Sequence, residues 1–293
     1  MIKSRFRTFF HDIIEKNGPR IEEFKYTLYL IRRSPLTLVG FLIVLIMIIL
    51  AIVAPYIAPY PEDIIGFAHL EKRLQPPSQQ HWFGLDEMGR DIFSRVIFGC
   101  RISLEIGILV IIISASIGTI AGALAGYYRG WVDFIIMRIT DTFLALPSLI
   151  LALAIAAAIG TGLFNLMVAI AIAWWPWYAR LVRAQALSLS EATFIEAAKA
   201  MGVTDFRIVL RHVIPNCIAP IVVQASLDLG YVILTAASLG FLGLGAQPPA
   251  AEWGLMVSIG RGFFPNWWWI TTFPGLAIFI SVLGFNLLGD GIR

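Results

Sequence analysis

Long apolar runs, separated by charged or glycine- and proline-containing stretches, organise most of this chain. Residues 36–54 carry no charge and lie between Pro35 and Pro55. Residues 106–128 are uncharged, and so are residues 142–179, a run too long for one crossing. Gly160-Thr161-Gly162 divides that run and predicts a tight helical hairpin. Residues 213–251 hold a single charge, Asp228, and residues 262–289 hold none. A membrane helix needs about 20 mostly apolar residues. The pattern therefore predicts an all-α polytopic membrane protein with six transmembrane helices, over 36–57, 102–127, 137–159, 163–180, 217–242 and 269–289. Pro147 predicts a kink in the third. The first apolar run exceeds a signal-peptide core of about 7–15 residues. Ala54-Pro55 and Ala58-Pro59 make poor cleavage sites, so this segment is read as an uncleaved helix.

Composition sharpens the class. Apolar residues make up 58% and charged residues 14%, with a mean hydropathy of +0.80. Those proportions exclude a disordered chain, a nucleic-acid binder resting on a basic face and an ordinary cytosolic enzyme. With the N-terminus inside, the inner segments hold sixteen of the 22 Lys and Arg residues, eight of them in residues 1–35. Both termini of a multi-pass membrane protein are therefore expected in the cytoplasm. The basic N-terminal segment would lie against anionic headgroups. The expected organisation is an N-terminal segment at 1–35, a first helix and outer loop at 36–98, a transmembrane core at 99–289 containing an inner loop at 191–215, and a short tail at 290–293.

The inner loop has a helical pattern of its own. Thr193 and Glu196 fit a capping box, and Gly202 falls where a helix closes in a left-handed turn. Phe194, Ala197, Ala198 and Met201 follow the i, i+3, i+4, i+7 spacing of an apolar stripe. So short a helix is marginal alone in water. Two readings fit it: a docking helix for a soluble partner, or a helix lying on its own bundle or on lipid headgroups.

Glu196-Ala197-Ala198 followed by Gly202 resembles the EAA motif of ABC importer permeases, although His212-Val213-Ile214-Pro215 keeps only the proline of the family's closing I-x-L-P. Arg33-Ser34-Pro35-Leu36 with Ala54-Pro55-Tyr56-Ile57-Ala58-Pro59-Tyr60 looks like the first helix of the C-type subunits of dipeptide, oligopeptide and nickel importers. The stretch from His81 to Asp91 is similar to their signature before the second helix. Phe241 to Pro249, with Trp253-Gly254, is similar to the one after the fifth. Two departures stand out: Ala236 where relatives often carry an acid, and Gly240 where serine is common. The resemblance implies a type I ABC importer permease fold with a cytoplasmic coupling helix, in a prokaryotic inner membrane. It further implies a sister permease, two cytoplasmic ABC ATPase subunits and an extracytoplasmic solute-binding protein as partners. Phe194, Glu196, Ala197, Ala198, Met201 and Gly202 would form the ATPase-docking element. Peptides, nickel chelates and small sugars are all served by such relatives, and di- or oligopeptides fit the signatures best.

No G-x-x-x-x-G-K-[ST] motif occurs, so nucleotide hydrolysis is expected on a partner and no cofactor on this chain. His11, His69, His81 and His212 share no spacing, and no metal site or catalytic residue is proposed. Asp228, deep in the fifth expected helix, is the candidate pathway residue. It could instead be a polar tie between helices. As the relay of a proton-coupled secondary transporter it would support an alternative function, which predicts inverted repeats that the chain does not display. An intramembrane enzyme would need a second deep acid or a Ser–His pair. Asp133 and Asp141 are read as interfacial partners of Arg129 and Arg138, and Glu105 as a partner of Arg101. Gly118, Gly122 and Gly126, extended by Ser114, form a stripe of small residues suited to close helix packing. Trp174, Trp175 and Trp177, and Trp267, Trp268 and Trp269, are read as interfacial belts.

Overall fold

A computed structural model describes residues 34–292. The N-terminal segment, with half of the inner positive charge, and the terminal Arg293 lie outside the described residues. The first helix, α1 (Pro35–Ile57), starts at Ser34, whose hydroxyl accepts from the Thr37 N–H, and it tolerates Pro55 in its last turn. α2 (Ile92–Tyr128) begins ten residues earlier than the apolar run suggests, because Asp91 caps it through the Ser94 N–H at 2.8 Å. At 37 residues it extends about 55 Å, well beyond the roughly 30 Å hydrocarbon layer.

The third expected span is not one kinked helix. It is a bent pair, α3 (Gly130–Leu144) and α4 (Ser148–Ile159), meeting at 91°. Pro147 sits at the break as the residue capping α4, where its ring forbids the continuous backbone ladder. The predicted hairpin is present: Gly160 (φ 104°) and Gly162 (φ 132°) turn the chain into α5 (Leu163–Ser190). α5 runs ten residues past its expected end, with Pro176 inside it. The inner loop carries α6 (Thr193–Ala200), the one-turn α7 (Asp205–Ile208), a π-helical turn at Val209–Val213 and the short α8 (Ile214–Asn216). α9 (Ile218–Phe241), α10 (Trp253–Gly260) and α11 (Trp269–Ile292) complete the bundle. α1, α2, α9 and α11 are each long and apolar enough to cross a membrane, and the bent pair makes a fifth candidate; α5, which carries Arg180 and Arg183, falls short, so the expected six are not reached by length and apolarity.

The glycine stripe explains the tightest packing. A Cβ on Gly118 would lie 2.4 Å from the Tyr178 Cβ, one on Gly122 2.4 Å from the Ala179 carbonyl oxygen, and one on Gly126 2.6 Å from that of Arg183. α2 and α5 therefore touch backbone to backbone, and the Ser114 hydroxyl donates to the Val110 carbonyl beside Ala171. Three apolar cores follow from this frame. One lies among α2, α4, α5 and α9. A second joins α1, α2, α9, α10 and α11. The third lies between the ends of α2 and α5 and the inner loop.

Candidate functional site

α6 is held by one face and bare on the other. Ile195 and Ala198 are buried in the third core with Val182, Ile208 and Val213. Phe194 is 45% exposed, Met201 77% and Phe206, on α7, 70%. The predicted stripe is therefore divided: Ala198 turns into the bundle, while Phe194, Ala197 and Met201 face outward. The reading in which the helix lies on its own bundle holds for one face, and the other face is open to solvent. The capping box is absent. The N-cap is Ala192, Thr193 is already helical and no side chain caps the first turn. Glu196 remains exposed in that turn, where its charge complements the helix dipole. Gly202 performs its expected role with φ 78°: its N–H donates to the Lys199 carbonyl at 2.9 Å, and the Val203 N–H reaches Ala198 at 3.1 Å. That pair of bonds is the Schellman closure.

The loop is further pinned to α2. The Tyr127 hydroxyl donates to Asp205 Oδ1 at 2.5 Å, and the Lys199 ammonium lies 5.0 Å from the Tyr127 ring centre. Arg129 pairs with Glu191 at 2.8 Å. The interfacial acids choose partners across helices rather than along them: Asp141 binds Arg180 at 2.7 Å, and Asp133 takes a two-pronged contact from Arg183. These pairs keep α5 helical beyond the apolar run, and a cavity of about 410 Å³ lined by Met137, Asp141, Arg180 and Arg183 opens beside them. Arg101 and Glu105 form no ion pair among the described residues.

Asp228 is 6% exposed and faces Trp174 and Tyr178 of α5. Its Oδ1 accepts from Gln224 Nε2 at 3.0 Å. The Tyr178 hydroxyl and the Trp174 indole nitrogen lie next to it. Asp228 Oδ2, Tyr178 Oη and Trp174 Nε1 are buried together, and the phenol and indole are the groups disposed to donate to that carboxylate. Trp174 is thus a buried residue and no part of a belt, as is Trp269, whose indole donates to the Leu85 carbonyl at 3.2 Å.

At the opposite end, the two remaining signatures meet. Arg95, 1% exposed, donates to the carbonyls of Asp63, Pro249 and Ala250 at 3.0–3.1 Å. The Trp253 indole donates to Val96 at 3.0 Å. Glu252 caps α10 with both carboxylate oxygens, each 2.7 Å from a backbone nitrogen. Burial, opposed by those two bonds, raises its pKa. Arg90 binds Asp86 at 2.7 Å and Glu87 at 3.0 Å. Burial, then the neighbouring Asp86 charge, raises the Glu87 carboxyl. A Cβ on Gly240 would sit 2.7 Å from Glu252 Oε2, and Ala236 packs in the first core. Arg95 and Glu252 are the residues that sequence reasoning missed; their signal was a charge beside each signature, whereas Trp253 was already part of one.

A bundle of long apolar helices with a short loop helix presented at one end is the architecture of a multi-pass membrane protein. Comparison with known proteins gives the family. Residues 118–293 match the binding-protein-dependent transport system inner membrane component, and residues 24–77 match the N-terminal TM domain of oligopeptide transport permease C. The probable D,D-dipeptide transport system permease protein DdpC of Escherichia coli (strain K12) is 47% identical over 265 residues, 90% of this chain and 88% of that protein. The dipeptide transport system permease protein DppC of Alkalihalophilus pseudofirmus is 47% identical, with 90% and 86% covered. The glutathione transport system permease protein GsiD of Pectobacterium atrosepticum is 48% identical, with 86% and 83% covered. Inward-facing structures of the MetNI methionine ABC transporter share the fold: one aligns at a TM-score of 0.55 with 20% identity, covering 68% of this chain and 94% of the other. The chain belongs to the family of binding-protein-dependent transport system inner membrane components. It is a multi-pass membrane permease with the type I ABC importer permease fold. The proton-coupled alternative finds no support among these relatives.

Proposed function

We propose that this permease moves di- or oligopeptides inward, with a sister permease completing the pathway and two cytoplasmic ATPases driving it through α6. A solute-binding protein would deliver the cargo on the outer side, opposite the cytoplasmic termini. The peptide assignment is supported by the dipeptide and glutathione relatives. The observation that carries the mechanism is the divided surface of α6. Ile195 and Ala198 fasten it to the bundle, while Phe194, Ala197 and Met201 remain bare beside exposed Phe206. An apolar face whose one aromatic neighbour among the described residues is His212, 6.4 Å from the Phe194 ring, on an otherwise charged loop, suits a soluble protein's cleft.

Because α5 enters the loop and α9 leaves it, a push on α6 reaches both helices. Glu196 and Gly202 serve by keeping α6 short, closed and rigid. Gly202→Pro cannot adopt the observed φ of 78°, since proline fixes φ near −65°. Both Gly202→Pro and Glu196→Arg are expected to insert into the membrane normally and to lose peptide uptake. Undiminished uptake by the two variants in whole cells would refute the docking role.

A further inference from the structure

The third span breaks at a depth where lipid tolerates no loose backbone. α3 ends at Leu144, Ala145-Leu146-Pro147 turn the chain, and α4 leaves at 91°. The Phe143 ring, just before the break, meets the Trp175 ring of α5 with centres 5.6 Å apart. Trp175 lies twelve residues after the start of α5 and fifteen before its end. At 1.5 Å per residue those distances are about 18 and 22 Å. A hydrocarbon layer about 30 Å thick, placed anywhere within the length of α5, therefore encloses the break. A helix cannot satisfy its own last carbonyls or first N–H groups, and no side chain caps α4. Such backbone at membrane depth is tolerated inside protein or beside water, never against lipid. Ala145, Leu146 and Pro147 are nonetheless exposed, Leu146 at 51%. The face that carries the break is thus turned away from lipid.

The same face is wet rather than dry. Asp141 and Thr142 stand one turn before Ala145 and Leu146, and both are exposed. Asp141 pairs with Arg180 at 2.7 Å, each side chain about half exposed. A cavity of about 410 Å³ opens among Met137, Asp141, Arg180 and Arg183. Closing a second protein over these groups would strip water from two charges, a cost that one ion pair does not reliably offset. Left in water, a half-exposed pair contributes little to stability and parts readily. The lining also has a chemical preference. A carboxylate and a guanidinium side by side suit a zwitterion, which can offer an ammonium group to Asp141 and a carboxylate to Arg180. Arg183 is held by both carboxylate oxygens of Asp133 and is committed elsewhere.

We propose that Asp141, Thr142, Leu146 and Arg180 line the solute pathway, and that a zwitterionic peptide passes between this face and the sister permease. The break between α3 and α4 supplies bare backbone to the wall. Asp228, 6% exposed and enclosed with Trp174 and Tyr178, lies off the route. The inference deepens the reading of this chain as a peptide permease and rests on it.

The test uses the complete transporter, both permeases with the ATPases, in lipid nanodiscs where a reagent reaches both membrane faces. Cysteines are introduced singly as Thr142→Cys and Leu146→Cys, and as Ile46→Cys, a control 55% exposed on the unbroken apolar α1. All three side chains are exposed, so each variant is expected to keep the parent's thermal transition. Native Cys100 and Cys217 are buried and should stay silent. The rate of reaction with a charged thiol reagent that does not enter lipid is measured at each position. Positions 142 and 146 should react at least about tenfold faster than position 46, since a thiol in apolar surroundings forms little thiolate. Adding the binding protein, ATP and a mixture of di- and tripeptides should slow both severalfold, whereas the binding protein and ATP alone should not. Rates no higher than at position 46 overturn the pathway and mean a dry contact with the sister permease. High rates that peptides leave unchanged, while the parent transporter in liposomes accumulates those peptides, overturn it as well: the face is then wet but off the route. A parent transporter that accumulates none of the peptides refutes instead the peptide reading on which the pathway rests, whatever the rates at 142 and 146.

Discussion

The two ends of this bundle handle charge in opposite ways. At one end, residues 58–98 and 242–253 turn a set of charges inward, while Glu62, Glu71, Lys72 and Arg73 stay exposed. Arg95, Asp86, Arg90, Asp91 and Glu252 are all buried, and nearly every donor finds a carbonyl or carboxylate of the same chain. At the other end the loop keeps its charges outside and leaves Phe194, Met201 and Phe206 bare. Buried charge networks are costly unless fully paired, and exposed apolar side chains gain nothing alone. The charge network of the first end is therefore finished within one chain, although Ile65, Phe67 and Trp82 stay exposed there. We propose that the second end is finished by an ATPase subunit. The contrast lies in the charges, buried and paired at one end and left in solvent beside an apolar face at the other.

The largest effect is expected at the seam joining the two ends. Gly122→Leu places a side chain where even a Cβ would meet the Ala179 carbonyl oxygen at 2.4 Å. Backbone cannot yield as a flexible side chain can, so α2 and α5 must separate. Monodisperse protein should be lost on size-exclusion chromatography in mild detergent, and a normal elution profile would mean that the seam is looser than described.

Next comes the finished end. Arg95→Met leaves three carbonyl oxygens without their donor and is expected to cost about 3–5 kcal/mol locally. Limited proteolysis should then cut within residues 58–98 while the helices stay intact. A cleavage pattern unchanged from the parent would show that Arg95 does not fasten the two signatures together.

The smallest stability effect, about 0.5 kcal/mol or less, is expected at the unfinished end from Met201→Ser, since that side chain is 77% exposed. Its thermal transition should match the parent protein's while uptake falls. If uptake and transition temperature both stay put, the bare face is not an interface. These three substitutions thus separate frame, finished end and docking face.

Much of this was legible in the chain because local chemistry and tertiary structure agree. Gly202 closes α6 as its position suggests, and Gly160 and Gly162 make the hairpin where they interrupt an apolar run. The glycine stripe packs as spaced. Where reading failed, a distant partner decided. Arg180 and Arg183 look like the end of a span until Asp141 and Asp133 on α3 receive them. The bent pair was half visible: Pro147 marked a kink, but a 91° break depends on how α3 and α4 each pack. The Thr193–Glu196 capping box was misread by one register, since a threonine in the first turn gives the same spacing as one at the cap. The division of the α6 stripe could not be read, because Ile195 finds its burial against Val182 and Val213, distant in sequence. Trp174 and Trp269 looked interfacial by count and proved internal by contact.

The account stands or falls on what touches the bare face of α6. Native Cys100 and Cys217 are both buried, so cysteines introduced at Met201 and, as an inward control, at Ile195 can be probed against them as a silent background. A short bifunctional reagent applied to membranes of the assembled transporter should join position 201 to an ATPase subunit and leave position 195 unreacted. Peptide uptake proceeding normally while position 201 joins to lipid alone, or to no ATPase at all, would contradict it.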